Sequence, residues 1–188
     1  MAEDRQPVLR PGDVPERVLA EGLLLRRWQA GDRDARHRAI LESFDHLHAW
    51  MAWADRPPTA REHAERFGRA LSWPSGHSYQ FAILDEPGRT ILGTAAVHDS
   101  LGGEGVEIGY WCHADHVGRG VVTRSARALT RLLLGLDHVA RVEIHCDEAN
   151  VRSAAVARRL GYRLDRVEDD GVTAPGESGR GMVWVKER

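Results

Sequence analysis

Apolar residues along this chain fall into two rhythms, steps of three and four over long stretches and short near-continuous runs, and together they predict an order of elements. The run "GLLLRRW" at 22–28 reads as a strand. From 30 to 53, Ile40, Phe44, Leu47 and Met51 follow at steps of four, three and four, which is one helical face. The prolines of "DRPPT" stop that helix, and Thr59 can cap a second one that reaches about Leu71. "SYQFAIL" and "TILGTAAV" flank "DEPGR", where Pro and Gly supply a turn, so a hairpin is expected.

"VEIGYWCH" is a further strand, and after it Val122, Ala126, Leu129, Leu133 and Leu136 recur at helical spacing with Arg124, Arg127 and Arg131 on another face. That helix should pack on a sheet. "ARVEIHC" at 140–146 reads as a strand, "NVRSAAVARRLGY" as a helix capped by Asn150 and ended by Gly161, and "RLDRV" and "GMVWV" as closing strands across the loop "EDDGVTAPGESGR". Residues 1–21, rich in Pro, Asp and Arg without a period, are expected to be a loosely ordered arm ahead of a single domain at 22–188.

Composition narrows the function more than the fold. The 188 residues suit one domain with a full core. A charged fraction of 29%, an apolar fraction of 42% and a formal charge of -2 give no reason to propose a nucleic-acid partner. The longest apolar runs fall far short of the ~20 residues that span a bilayer, so no membrane partner is expected either. Two cysteines, Cys112 and Cys146, without a charged-then-apolar leader, argue for a reducing, cytoplasmic setting. A homodimer is left open.

The stretch "HVGRGVVTRSARAL" carries the chemistry. Gly118 and Gly120 come directly after a strand and directly before a helix, where free backbone N–H groups and the positive end of the helix dipole meet at one anion site. A nucleotide-cleaving loop of the G-x-x-x-x-G-K-[ST] type is excluded, since no lysine follows either glycine. A dinucleotide loop of the G-x-G-x-x-G type fails because Thr123 stands where the third glycine belongs. What remains suits a diphosphate that is held and not cleaved. The bland alternative is a tight turn.

"EIGYWCHADHVGRGVVTRSARAL" followed by "VEIHCDEANVRSAAVARRLGYRL" resembles the GNAT superfamily of acyl-CoA-dependent N-acyltransferases, specifically its RimJ/RimL-like branch, over roughly residues 22–188. The resemblance implies an α/β (α+β) fold, with a mixed, mainly antiparallel sheet flanked by helices and splayed between its fourth and fifth strands. It implies that Val117, Gly118, Arg119, Gly120, Val121, Val122 and Thr123 hold the diphosphate of acetyl-CoA, that Gly109, Tyr110 and Trp111 meet its pantetheine arm, and that Asn150 and Ser153 also reach the cofactor. Val117 and Val122 depart from the family's usual Gln or Arg and Gly or Ala, so the loop matches in part. Trp50 and Trp53 of "WMAW" stand where this branch often has tryptophans beside its acceptor pocket.

Moving an acetyl group from a thioester to an amine needs a neutral amine, donors for the oxyanion and a proton for the leaving thiolate. The resemblance implies that backbone N–H groups near Gly109 to Trp111 serve the oxyanion where the strand is bulged and splayed, and that Ser153 hydrogen-bonds the leaving sulfur. Glu107, Glu143 or a water chain would take the ammonium proton. Glu168, in "VEDDGV", lies nearest to the branch's later glutamate but does not match it residue by residue.

Each of these residues also has an ordinary structural reading: Asn150 as a cap, Ser153 as a first-turn serine, Glu107 and Glu143 on a solvated strand face, Cys146 as an inert buried thiol. Cys112, His113 and His116 lack a fourth ligand, so no metal is expected. The expected activity is direct acetyl transfer to a primary amine of a protein N-terminus, an antibiotic or a small metabolite. The other readings are a different acyl-CoA as donor, or an acyl-CoA-binding regulatory module with little turnover.

Overall fold

A computed structural model describes residues 7–74, 77–103 and 105–188. Its described residues form one eight-stranded sheet with helices on both faces. The strands are β1 (Arg17–Leu19), β2 (Leu23–Arg27), β3 (Ser78–Asp85), β4 (Ile91–His98), β5 (Gly105–Cys112), β6 (Arg141–Asp147), β7 (Arg163–Asp169) and β8 (Arg180–Glu187). They lie in the order β1-β2-β3-β4-β5-β6-β8-β7. Every neighbouring pair is antiparallel except β5 with β6, which run parallel and meet only at Gly105↔Arg141, Val106↔Val142 and Glu107↔Glu143. These two are the fourth and fifth strands of the sequence reading, moved up one by the short β1.

One face carries α4 (Val121–Leu134) and α5 (Val151–Arg159) over the main core, where Leu25, Phe81, Val97, Ile108, Leu129 and Ile144 are all buried. The other face carries α1 (Arg33–Glu42), α2 (Phe44–His48) and α3 (Ala60–Ala70) over two smaller apolar clusters. α3 starts as expected at Thr59, with a reciprocal cap: Glu62 N donates to Thr59 Oγ1 at 3.3 Å and Thr59 N to Glu62 Oε2 at 2.9 Å. The β3–β4 hairpin closes through Gly88, at φ +73°. Among the described residues no helix is long and apolar enough to cross a membrane.

Three expectations needed correction. The helix expected over 30–53 is broken at Ser43 (φ -104°, ψ 9°), because the Ser43 hydroxyl accepts the amide of Ala114 at 3.0 Å, a partner far along the chain. At the start of α4 the buried valine is Val121, with Val122 half-buried, and Leu136 lies beyond the helix, which ends at Leu134. The arm expected over 1–21 lies outside the described residues only up to 6. From there Val8 and Leu9 donate their amides to the Asp99 carboxylate at 2.9 and 2.8 Å, Leu9 and Val14 enter the core, and β1 joins the sheet. An aperiodic stretch looks loose until its distant carboxylate partner is known.

Candidate active site

The seam between β5 and β6 ends at Glu107 and Glu143. Beyond it β5 stays paired with β4 as far as Cys112↔Gly93, and β6 stays paired with β8, so the facing edges of β5 and β6 carry backbone groups with no strand partner. The gap opens a cleft of about 1650 Å³ whose lining comes from both faces of the sheet.

Backbone builds one end of this cleft. β5 passes through a 3₁₀ turn (Ala114–His116) to Val117, Gly118, Arg119 and Gly120, and Gly120 is the N-cap of α4. Gly118 and Gly120 have φ of +80° and +73°, where a side chain is strained, and a Cβ on Gly118 would meet nothing within 4 Å. The glycines therefore serve the turn and leave open space in front of it. Arg124 N bonds Gly120 O at 3.0 Å, and the amides of Val121, Val122 and Thr123 come before that first helical bond. Those amides and the helix dipole favour an anion. Arg119, Arg124 and Arg127 line the same end, with Arg124 donating to Glu21 O at 2.6 Å and Arg127 paired with the Glu21 carboxylate at 2.8 Å.

Where the two strands part, three side chains from the α4 face converge. Asn150 Oδ1 accepts from Ser153 N at 3.1 Å, which fixes Ser153 in the first turn of α5. Ser153 Oγ then lies 2.9 Å from the Tyr110 hydroxyl. Burial pushes the Tyr110 phenol well above its ordinary value, so it stays protonated at neutral pH. Cys146, expected as an inert buried thiol, is instead half-buried and lines the cleft, its thiol raised by burial.

The opposite wall belongs to the α1–α3 face. Gly109 lies against His98, since a Cβ there would come 3.0 Å from His98 Nε2. His98 is the ladder partner of Glu107, and His145 Nδ1 is 3.9 Å from Glu107 Oε2. Glu107, His98 and His145 all line the cleft.

Glu143 does not fit the expectation of a base. It is 3% exposed, does not line the cleft, and is held at 2.7 Å by both Arg141 Nε and His145 Nε2. Burial alone would raise its carboxyl, but those hydrogen bonds hold it below the usual carboxylate range. It orients its neighbours and is not placed to collect a substrate proton.

Trp50 and Trp53 line the end near α2. The loop after β7 packs onto that turn: Gly176 N donates to Ala49 O at 2.8 Å, and a Cβ on Gly176 would come 3.3 Å from the Trp50 ring. Trp111 packs with Ala39, Ile40 and Leu47 and is buried, yet it also lines the cleft. Glu168 lines the cleft and pairs with Arg166. Cys112 packs in the main core, its thiol pushed up to about 11 by burial, and His113 bonds Glu42 Oε2 at 3.0 Å.

The sequence reading missed His98, His145 and the Tyr110 hydroxyl as cleft groups. The signal available for the first two is alternation: Glu107 and Gly109 share a face of β5, so their ladder neighbours must share it too. The link from Tyr110 to Ser153 spans 43 residues and has no local trace.

Residues 22–163 match the family model described as an acetyltransferase (GNAT) domain. The chain is 25% identical over 164 residues to the "Putative ribosomal N-acetyltransferase YdaF" of Bacillus subtilis (strain 168), covering 83% of this chain and 86% of that one. Among solved structures, the ribosomal-protein α-N-acetyltransferase RimL in complex with coenzyme A matches at a TM-score of 0.80 and 20% identity, over 92% of this chain and 98% of that one. The microcin self-immunity acetyltransferase MccE in complex with acetyl-CoA and AMP matches at 0.80 and 19%, over 89% and 93%. At these identities the two structures share the fold.

Proposed function

Since the chain belongs to the GNAT acetyltransferase family, we propose that it moves the acetyl group of acetyl-CoA directly to a primary amine. The observation that carries the reading is the strand edge that β5 leaves free past Glu107, running straight into the amide-rich start of α4. Pantetheine pairs along that edge as a short extra strand would, and the diphosphate rests against Gly118, Gly120 and the amides of Val121 to Thr123. RimL and MccE, solved with coenzyme A and acetyl-CoA, support this choice of cofactor.

The transfer follows from the two walls. The amine enters from the side of Trp50 and Trp53 and loses a proton to Glu107, directly or through His145 or a water. Its nitrogen attacks the thioester carbonyl carbon, and the Tyr110 N–H, which in the unbroken ladder with β4 points to the free edge of β5, receives the negative charge on oxygen. The C–S bond then breaks. The departing thiolate takes its proton from Ser153, whose hydroxyl is replenished by the Tyr110 phenol 2.9 Å away, and the second proton that the nitrogen sheds as the amide forms returns through water to Tyr110. Acetyl-CoA and amine become coenzyme A and amide, with no covalent acyl-enzyme. A library of amines and N-terminal peptides, incubated with acetyl-CoA and followed by thiol release, tests the proposal. Release that depends on an acceptor supports it, and acetyl-CoA hydrolysis alone overturns it.

A further inference from the structure

The acceptor wall contains a cation with no counter-charge among the described residues. Arg36 on α1 stacks its guanidinium over Trp28 and Phe67, with Cζ 5.2 and 5.7 Å from the ring centroids, and it lines the cleft. Its side-chain hydrogen-bond partner among the described residues is neutral: Arg36 donates to His63 Nε2 at 3.1 Å. Burial holds that histidine down to about 4, so it accepts and carries no charge. Arg36 Nε is buried with no hydrogen-bond partner, and among the described residues no carboxylate lies within ion-pair distance of it. The same burial brings the guanidinium down to about 10, still charged at neutral pH.

The groups around it point the same way. Thr94 Oγ1 lines the same cleft and is also buried without a partner among the described residues, and the ladder partner of Thr94, Ala82, packs with the Trp28 and Phe67 that Arg36 covers. Arg66 and Arg69 of α3 stand exposed at its rim, neither paired with a described carboxylate. A half-buried guanidinium with its Nε shut off from water and no counter-ion among the described residues is costly, and the fork of donors on Arg matches a carboxylate or a phosphate.

Building on the acetyl-transfer reading, we infer that the subsite of Arg36, Thr94, Arg66 and Arg69 binds an anionic group carried by the acceptor. The sheet register sets its distance from the reacting amine. Ala96 pairs with Gly109 at the reaction point and Thr94 with Trp111, so the subsite lies two residues further along β4. At a rise of ~3.3 Å per residue that is about 7 Å, beyond the α-carboxylate of a free amino acid but within reach of a side chain on the second or third residue of an extended peptide. The acceptor class is therefore an amine with a carboxylate or phosphate about two residues away.

The experiment measures peptide binding by calorimetry on protein saturated with coenzyme A, so the result stands whether or not transfer occurs. Three probes share one frame: Ser-Asp-Asp-Phe amide, Ser-Asn-Asn-Phe amide and Ser-phosphoserine-Asn-Phe amide. One charge-assisted pair is worth about tenfold in affinity, so at least one acidic peptide should bind ~10-fold more tightly than the neutral one, and the stronger of the two identifies the anion. The preference should collapse in Arg36→Met and shrink in Arg69→Gln, a rim change that does not threaten folding. Equal affinity for acidic and neutral peptides, or a preference intact in both folded variants, overturns the inference. Thiol release with the same peptides reports separately on acetyl transfer.

Discussion

The two walls of the cleft are built on opposite principles. The α4 face is built from backbone and from neighbours in sequence: Val117 to Gly120 turn directly into the first residues of α4, and Asn150 and Ser153 sit within one helical turn. On the α1–α3 face Arg36, Trp50, His98, Glu107 and His145 come from five separate stretches and meet only when the sheet assembles. A ligand read by amides constrains a short stretch of chain, whereas a ligand read by side chains leaves each contributor free to sit anywhere. The first wall suits a constant partner, the second a variable one.

That contrast breaks most readily at Gly120. Gly120→Asp puts a side chain at a φ of +73° and a negative charge against the diphosphate, so coenzyme A affinity should fall on the order of a thousandfold, by calorimetry, in a protein that still folds. Unchanged affinity would remove the backbone wall from the binding account. Ser153→Ala should lower kcat by about a hundredfold with little change in coenzyme A binding. If Ser153 only supports the helix start, turnover stays near wild type and the melting temperature drops instead.

The glutamates separate chemistry from scaffolding within one wall. Glu107→Gln should reduce kcat/KM by about ten- to a hundredfold, because His145 and water remain as weaker routes for the proton. Glu143→Gln should act mainly on stability. The folded carboxyl of Glu143 is held below its ordinary value near 4.5, so its contribution is present above that pH and is lost as the pH falls through the lower folded value. Melting curves from neutral to acid pH should therefore show a steeper acid loss in wild type than in Glu143→Gln. Matching slopes would show that the carboxyl adds nothing to the fold. The smallest effect belongs to Trp53, 38% exposed. Trp53→Ala should raise the acceptor KM about fivefold and leave the acetyl-CoA KM nearly alone, since only one substrate loses contact area.

The same contrast explains what the chain disclosed before folding. The glycine turn, the Asn150 cap and the helices after β5 and β6 were legible because their physics is local: a period, a cap, a positive φ. The break at Ser43 was hidden, since its cause is an amide 71 residues away. Docking of residues 8–14 depends on Asp99, about 90 residues on, which no spacing rule connects to Leu9. Glu107 and Glu143 looked equivalent as strand glutamates at matching places in a parallel seam. Only their partners tell them apart, because Arg141 and His145 enclose one and leave the other on the cleft.

The short seam between β5 and β6 also has a consequence for handling the protein. An unpaired strand edge is usually an aggregation hazard, and sheets hide it under charge, prolines or a covering element. Here the edge that β5 leaves free past Glu107 faces the cleft, and on the proposed function coenzyme A lies along it. Ligand and fold are then thermodynamically linked: saturation at a hundred times Kd adds about 2.7 kcal/mol to the native state. A preparation stripped of coenzyme A should melt earlier and self-associate sooner on storage than one kept loaded, and returning the coenzyme should reverse the first of these changes at once.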